Sequence, residues 1–149
     1  MGAREAAEIV VVPREFDALV EWVDRVSRNL VLLEAYSLPE VASWVDAVDR
    51  TVRDHLSTYS DLTLSRSVGR RDDDFATLRR TLEEDHARFR VSLDQLRWFC
   101  RVVEEDDHGG NRQALGQYGR VLAEALRRHR RDERAYFGRT ELPRPPAGA

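Results

Sequence analysis

Residues 75–103 read FATLRRTLEEDHARFRVSLDQLRWFCRVV, and this stretch decides the fold. Phe75, Leu78, Leu82, His86, Phe89, Leu93, Leu96, Cys100 and Val103 recur at steps of three and four residues. That period puts them on one side of an α-helix, since successive helical residues turn by about 100°. The positions between them are mostly Arg, Glu, Asp and Gln, which suit a solvated face. A half-buried strand needs apolar residues at every second position, and the stretch lacks that alternation. A helix this long exposes a long apolar stripe and needs partner helices to cover it.

The flanking residues set its ends and reveal the partners. Asp72 and Asp73 suit a helix start by capping and by the dipole. Asp106 to Gly110 closes the segment, with the Gly109-Gly110 pair as a stop. Beyond it, Asn111 can cap a helix whose inner face carries Leu115, Leu122, Leu126, His129, Glu133 and Tyr136 or Phe137. Gly116 and Gly119 either weaken its first turns or allow close helix packing. Upstream, Ser37-Leu38-Pro39-Glu40 reads as a capping box. It opens a helix lined by Val41, Trp44, Val45, Val48, Val52, His55, Tyr59 and Leu62, and the polar stretch from Ser65 to Arg71 ends it. A first helix runs from Pro13 to Tyr36, with Phe16, Leu19, Val20, Val23, Leu30 and Leu33 on one face. Four amphipathic helices with short connections predict an all-α, up-down-up-down antiparallel four-helix bundle over residues 13–139. Residues 1–12 form an N-terminal arm, and residues 140–149 a flexible tail rich in Pro and Gly.

Composition narrows the function classes. The chain has 149 residues, enough for one domain with a genuine core. Apolar residues make up 42% and charged residues 34%, a balance that argues against disorder. A formal charge of −3 gives no electrostatic case for a nucleic-acid partner. The apolar run from Ile9 to Pro13 is far too short to cross a bilayer, so no membrane partner is expected. Arg4, Glu5 and Glu8 interrupt the start, which has no apolar core of a secretory signal. The single cysteine, Cys100, excludes an internal disulfide and suits a reducing, cytoplasmic setting.

The chemistry lies in three histidines. His55, His86 and His129 each fall on the apolar stripe of a different helix. In a helical hairpin, positions equally distant from the turn sit at one height. The midpoint of His55 and His86 falls at residues 70–71, inside the second connection. That of His86 and His129 falls at residues 107–108, inside the third. The three imidazoles are therefore expected in one core layer. Glu133 follows His129 by four residues, and Tyr59 has the same relation to His55, so these two form a second layer about 6 Å along the axis. Imidazole nitrogen with carboxylate oxygen suits iron, zinc or manganese, and two His with one carboxylate is a recurrent iron(II) set. A buried carboxylate is costly unless paired or bound to metal, so Glu133 on an apolar stripe needs an explanation. The other reading of the same residues is a hydrogen-bonded polar core. His108, beside Gly109, reads as a solvated loop residue.

These residues resemble the haemerythrin-like, or HHE cation-binding, family. That family is a four-helix bundle with one His on its first helix, His-x-x-x-Glu on the second, one His on the third and His-x-x-x-Glu on the fourth. Here Leu82-Glu83-Glu84-Asp85-His86-Ala87-Arg88-Phe89 resembles the third-helix segment. His129-Arg130-Arg131-Asp132-Glu133, followed by Tyr136-Phe137, resembles the fourth, and His55-Leu56-Ser57-Thr58-Tyr59 the second. The resemblance covers residues 14–138 and implies a non-haem iron site of one or two ions. It departs from the family twice. Tyr59 stands where the family has a bridging Glu, and the first helix has no histidine. Reflecting His55 through the Ser37–Leu38 turn lands near Glu21 and Trp22, so Glu21 and Asp24 are the candidate replacement ligands. His86, His129 and Glu133 would then retain one half of a di-iron site, with His55 left from the other.

The resemblance implies a protein that binds, senses or reacts with dioxygen or a related small molecule, as a monomer or homodimer. Two alternatives stay open. One is an iron-dependent oxidase or oxygenase with a modified site of one or two irons. The other is a metal-free interaction bundle carrying a vestigial site.

Overall fold

The computed structural model describes residues 9, 12–30, 32, 36–66 and 73–139, and of residues 59–66, 73–75 and 137–139 the backbone alone. The described part is a four-helix bundle without strands. Helix α1 spans Phe16–Asn29, α2 Leu38–Arg66, α3 Asp73–Glu105 and α4 Gly109–Arg139. Helix α1 packs on α4, α4 on α3, and α3 on α2. None of these helices is long and apolar enough to cross a membrane.

The cross-helix ion pairs show the directions. Arg97 on α3 meets Asp46 and Asp49 on α2, while Arg53, a turn further along α2, meets Asp94, a turn earlier on α3. Arg127 on α4 holds Glu21 and Asp24 of α1, and Arg134 holds Asp17. In each pair one helix advances as the other recedes, which is antiparallel packing. The bundle interior is closed by Leu19, Val23, Val26, Val48, Leu93, Leu96, Leu115 and Leu126, all essentially free of solvent. At its centre Trp22 and Trp44 meet edge to face, with ring centroids 6.4 Å apart.

Local chemistry explains most boundaries. At the start of α2 the Ser37 amide donates to Glu40 Oε1 at 3.1 Å, and the Glu40 amide donates to Ser37 Oγ at 3.3 Å. This is the reciprocal capping box expected from the sequence. Helix α1, by contrast, stops at Asn29 rather than at Tyr36. Asn29 Nδ2 donates to the Tyr36 hydroxyl at 3.0 Å, and the buried Arg112 of α4 donates to the Tyr36 carbonyl at 2.6 Å. Those bonds hold Tyr36 against the bundle end, which a continuous helix from Asn29 would carry it past. Leu33 lies outside the described residues.

Helix α4 begins earlier than expected. His108 Nδ1 accepts from the amides of Gly110, at 3.0 Å, and Asn111, at 3.4 Å. His108 therefore acts as the cap, and Asn111 instead donates from its side chain to the Asp106 carbonyl at 2.8 Å. The Gly109-Gly110 pair starts a helix rather than stopping one, and the capping ring needs a glycine there, since a Cβ at Gly110 would sit 2.9 Å from the His108 ring. Further along, a Cβ at Gly116 would lie 2.5 Å from the Ser27 carbonyl oxygen, and one at Gly119 would lie 2.1 Å from Ser27 Oγ. Both glycines serve the close approach of α1 to α4.

Candidate metal centre

Each candidate ligand's position follows from the helix that carries it. Helix α4 brings His129 and Glu133 to the interior one above the other, four residues apart. Both are 1% exposed. Helix α2 turns His55 toward them from the opposite side, and α3 supplies His86 and Phe89 as the wall. His55 Nε2 lies 2.9 Å from Glu133 Oε1, and His129 Nε2 lies 3.0 Å from the same oxygen. One donor atom from each of His55, His129 and Glu133 falls within 4.8 Å of the others. Two ligands about 2.1 Å from a common tetrahedral ion lie about 3.4 Å apart, so the three donors are spaced on the scale of one ion.

Glu133 carries the strongest signal. Its Oε2 is buried and has no hydrogen-bond partner, as is His129 Nε2, whose approach to Oε1 is an ionic contact off the hydrogen-bonding direction. Arg130 Nη1 lies 3.9 Å from Oε2, beyond hydrogen-bonding reach. Orphaned buried acceptors in native cores are rare and call for a cause such as an ion. Burial alone would raise the Glu133 carboxyl, yet the contacts from His129 and His55 bring it down to about 2. Burial alone would lower His129, and the carboxylates of Glu133 and Asp85 instead hold it above its ordinary value. His86 goes the other way: burial, reinforced by the neighbouring His129, pushes it down to about 4. The two imidazoles of this layer are thus shifted in opposite directions, His129 up by its carboxylate neighbours and His86 down by burial.

His86 lies in the expected layer, with its ring centroid 5.1 Å from that of His129, but outside the three-donor cluster. The Tyr59 side chain lies outside the described residues. Glu21 and Asp24 are placed elsewhere. Arg127 holds Glu21 at 2.9 Å and Asp24 at 3.1 Å, and Arg28 takes Asp24 as well. What stands against His55 is Phe16, its ring stacked at 4.0 Å. The expected register is corrected by about one turn, because α1 ends at Asn29 and the connection to α2 is longer than a turn centred on Ser37–Leu38. The carboxylates of α1 thereby slide along the bundle to Arg127.

Two features escaped the sequence. Asp85, read as part of a solvated acidic run, points to α4 and lies 3.1 Å from His129 Nδ1. The cue was available: Asp85 falls three residues after Leu82 and four before Phe89, on the edge of the buried stripe. The second is a cleft of roughly 470 Å³ between the start of α1 and the middle of α2, lined by Phe16, Thr51, Asp54, His55, Thr58 and Arg130 among others. His55 is thus the one member of the cluster that borders the surface.

Fold and site together define a class, an antiparallel four-helix bundle with a buried His–His–Glu cluster. No family model, no curated protein and no solved structure matches the chain.

Proposed function

We propose that this chain is a non-haem metal-binding bundle protein whose ion is iron, held by His55, His129 and Glu133, and that it binds, senses or reacts with dioxygen or a related small molecule in the cytoplasm. The observation that carries this reading is the buried, unpartnered Glu133 Oε2 beside two imidazoles from separate helices. Two His with one carboxylate is a recurrent iron(II) donor set, although zinc and manganese accept the same atoms. When bound, such an ion supplies Lewis-acid and redox chemistry toward small molecules.

The chain's own residues do the rest. Glu133 brings one full negative charge to a place where water cannot. Phe89 packs against the His129 ring, and Phe16 packs the His55 ring. The cleft at His55 gives a small molecule its approach from the α1 and α2 side. That cleft also supports the oxidase or oxygenase alternative, for which it would be the substrate entrance. The metal-free alternative draws support from the charge balance of Glu133, His129 and Asp85, which hold one another without an ion.

The deciding experiment is anaerobic titration of the chelator-stripped protein with iron(II), followed by elemental analysis of the desalted product. The expected result is one iron per chain, lost in Glu133→Gln and in His55→Ala. Absence of stoichiometric iron, with zinc and manganese equally unbound, would leave the polar-core reading alone.

A further inference from the structure

His129 is sealed from solvent and lies between two carboxylates, Glu133 Oε1 at 3.0 Å from Nε2 and Asp85 Oδ2 at 3.1 Å from Nδ1. The two carboxylates come from different helices and play different parts. Glu133 belongs to the donor cluster, whereas Asp85 reaches the far side of the ring from α3. An ionised carboxylate only accepts hydrogen bonds, so Nδ1 must be the donor toward Asp85. With Nδ1 carrying a proton, the lone pair available to a metal is the one on Nε2, the nitrogen that faces Glu133. Asp85 is itself held: its Oδ1 lies 3.7 Å from Arg88 Nη1, and its side chain is 18% exposed.

Resting on the metal-binding reading above, we propose that Asp85 is a positioning residue for the site: it fixes the orientation of the His129 ring and directs Nε2 to the metal. Hydrogen bonds of this kind raise the basicity of the ligand and lock its tautomer. The sequence around Asp85 has no other group for the task. Glu83 and Glu84 pair instead with Arg79 and Arg88 on the outer face of α3. Asp132 lies on α4 itself, three residues from His129, and makes no contact with it among the described hydrogen bonds and ion pairs.

The test measures zinc(II) affinity of the full chain by chelator competition in wild type, Asp85→Asn, Asp85→Ala and the control Glu84→Gln. Each protein is also melted in the metal-free state. The expected result is a loss of about 10- to 100-fold in affinity for both Asp85 variants and none for Glu84→Gln. A second readout is long-range nitrogen-15 NMR of the zinc-loaded protein. Wild type should show His129 protonated at Nδ1 with Nε2 on the metal, and Asp85→Ala should lose the slowly exchanging Nδ1 proton. Should Asp85→Ala fold poorly, the isosteric Asp85→Asn carries the comparison. Wild-type zinc affinity in Asp85→Asn, with an unchanged His129 tautomer signal, would overturn the positioning role while leaving the metal site standing. Failure of the wild type to take up zinc would overturn both.

Discussion

Replacing Glu133 by Gln removes the charge at the centre of the site and leaves its shape. Lowering a carboxyl from 4.5 to about 2 corresponds to about 3 kcal/mol in favour of the charged form. Glu133 is 1% exposed, so solvent screening does not dilute that figure. Breaking a buried ion pair by removing one partner has the same size, since the remaining charge is stranded. Glutamine recovers part of it through hydrogen bonding, so Glu133→Gln should destabilise the metal-free protein by about 2–3 kcal/mol. In a chain of this size that lowers the melting temperature by about 5–10 °C. The pH dependence gives a sharper check. The folded pKa of Glu133 is depressed, so its contribution is complete above 4.5 and is lost as pH falls through about 2. His129 is raised, so its contribution is complete below 6.5 and is lost as pH climbs through its higher folded value. Urea unfolding at pH 6, with chelator present, therefore catches both groups in place, and the gap between wild type and variant should narrow to about half near pH 3. Equal stability of the two proteins at pH 6 would refute the reasoning, because it would mean that desolvation of the carboxylate cancels its pairing.

Three other perturbations test the frame that holds the site. Gly119→Ala puts a methyl group against Ser27 Oγ, with Ser27 Cβ only 3.0 Å away; the hydroxyl must leave the Val23 carbonyl or α1 and α4 must separate, which should cost about 1–3 kcal/mol in urea unfolding, and a neutral result would argue against their close contact. Asp49→Asn strips the partner of Arg97 and Arg53; the Asp49 carboxyl, which burial alone would raise, is held low by these guanidiniums, so its stabilisation is full above 3.8 and disappears as pH falls below that. The half-exposed arginines limit the loss to about 1–2 kcal/mol at pH 7, and the acid-induced drop in melting temperature should be smaller in the variant than in the wild type. His108→Ala removes the acceptor of two α4 amides and should destabilise by about 0.5–2 kcal/mol, with faster amide exchange at Gly110 and Asn111 as the local readout.

The helices and their inward faces were legible because amphipathic periodicity is a property of the chain alone. Leu82, Phe89, Leu93, Leu96, Cys100 and Val103 all proved buried on α3, and the Ser37–Glu40 box closed as read. The layer of His55, His86 and His129 was likewise predictable, since the second and third connections are short enough for reflection to work across them. Burial also pushes the Cys100 thiol up to about 12, in keeping with an inert core position.

What needed the tertiary structure was the first helix's register and the partners of each polar group. Helix α1 ends at Asn29, α2 starts at Leu38, and Asn29 and Arg112 both bond to Tyr36 between them, so counting from a turn at Ser37–Leu38 misplaces the register of α1. That error of about one turn exchanges Glu21 for Phe16 beside His55. The pairing of Asp85 with His129 depends on the rotation of α3 against α4, which periodicity leaves free by tens of degrees. A helix's own sequence determines which face goes inward, because burial of apolar area dominates and repeats with the helical turn. It does not determine which atoms meet across the interface, because hydrogen bonds and ion pairs act over about 3 Å while a turn of helix spans about 5.4 Å.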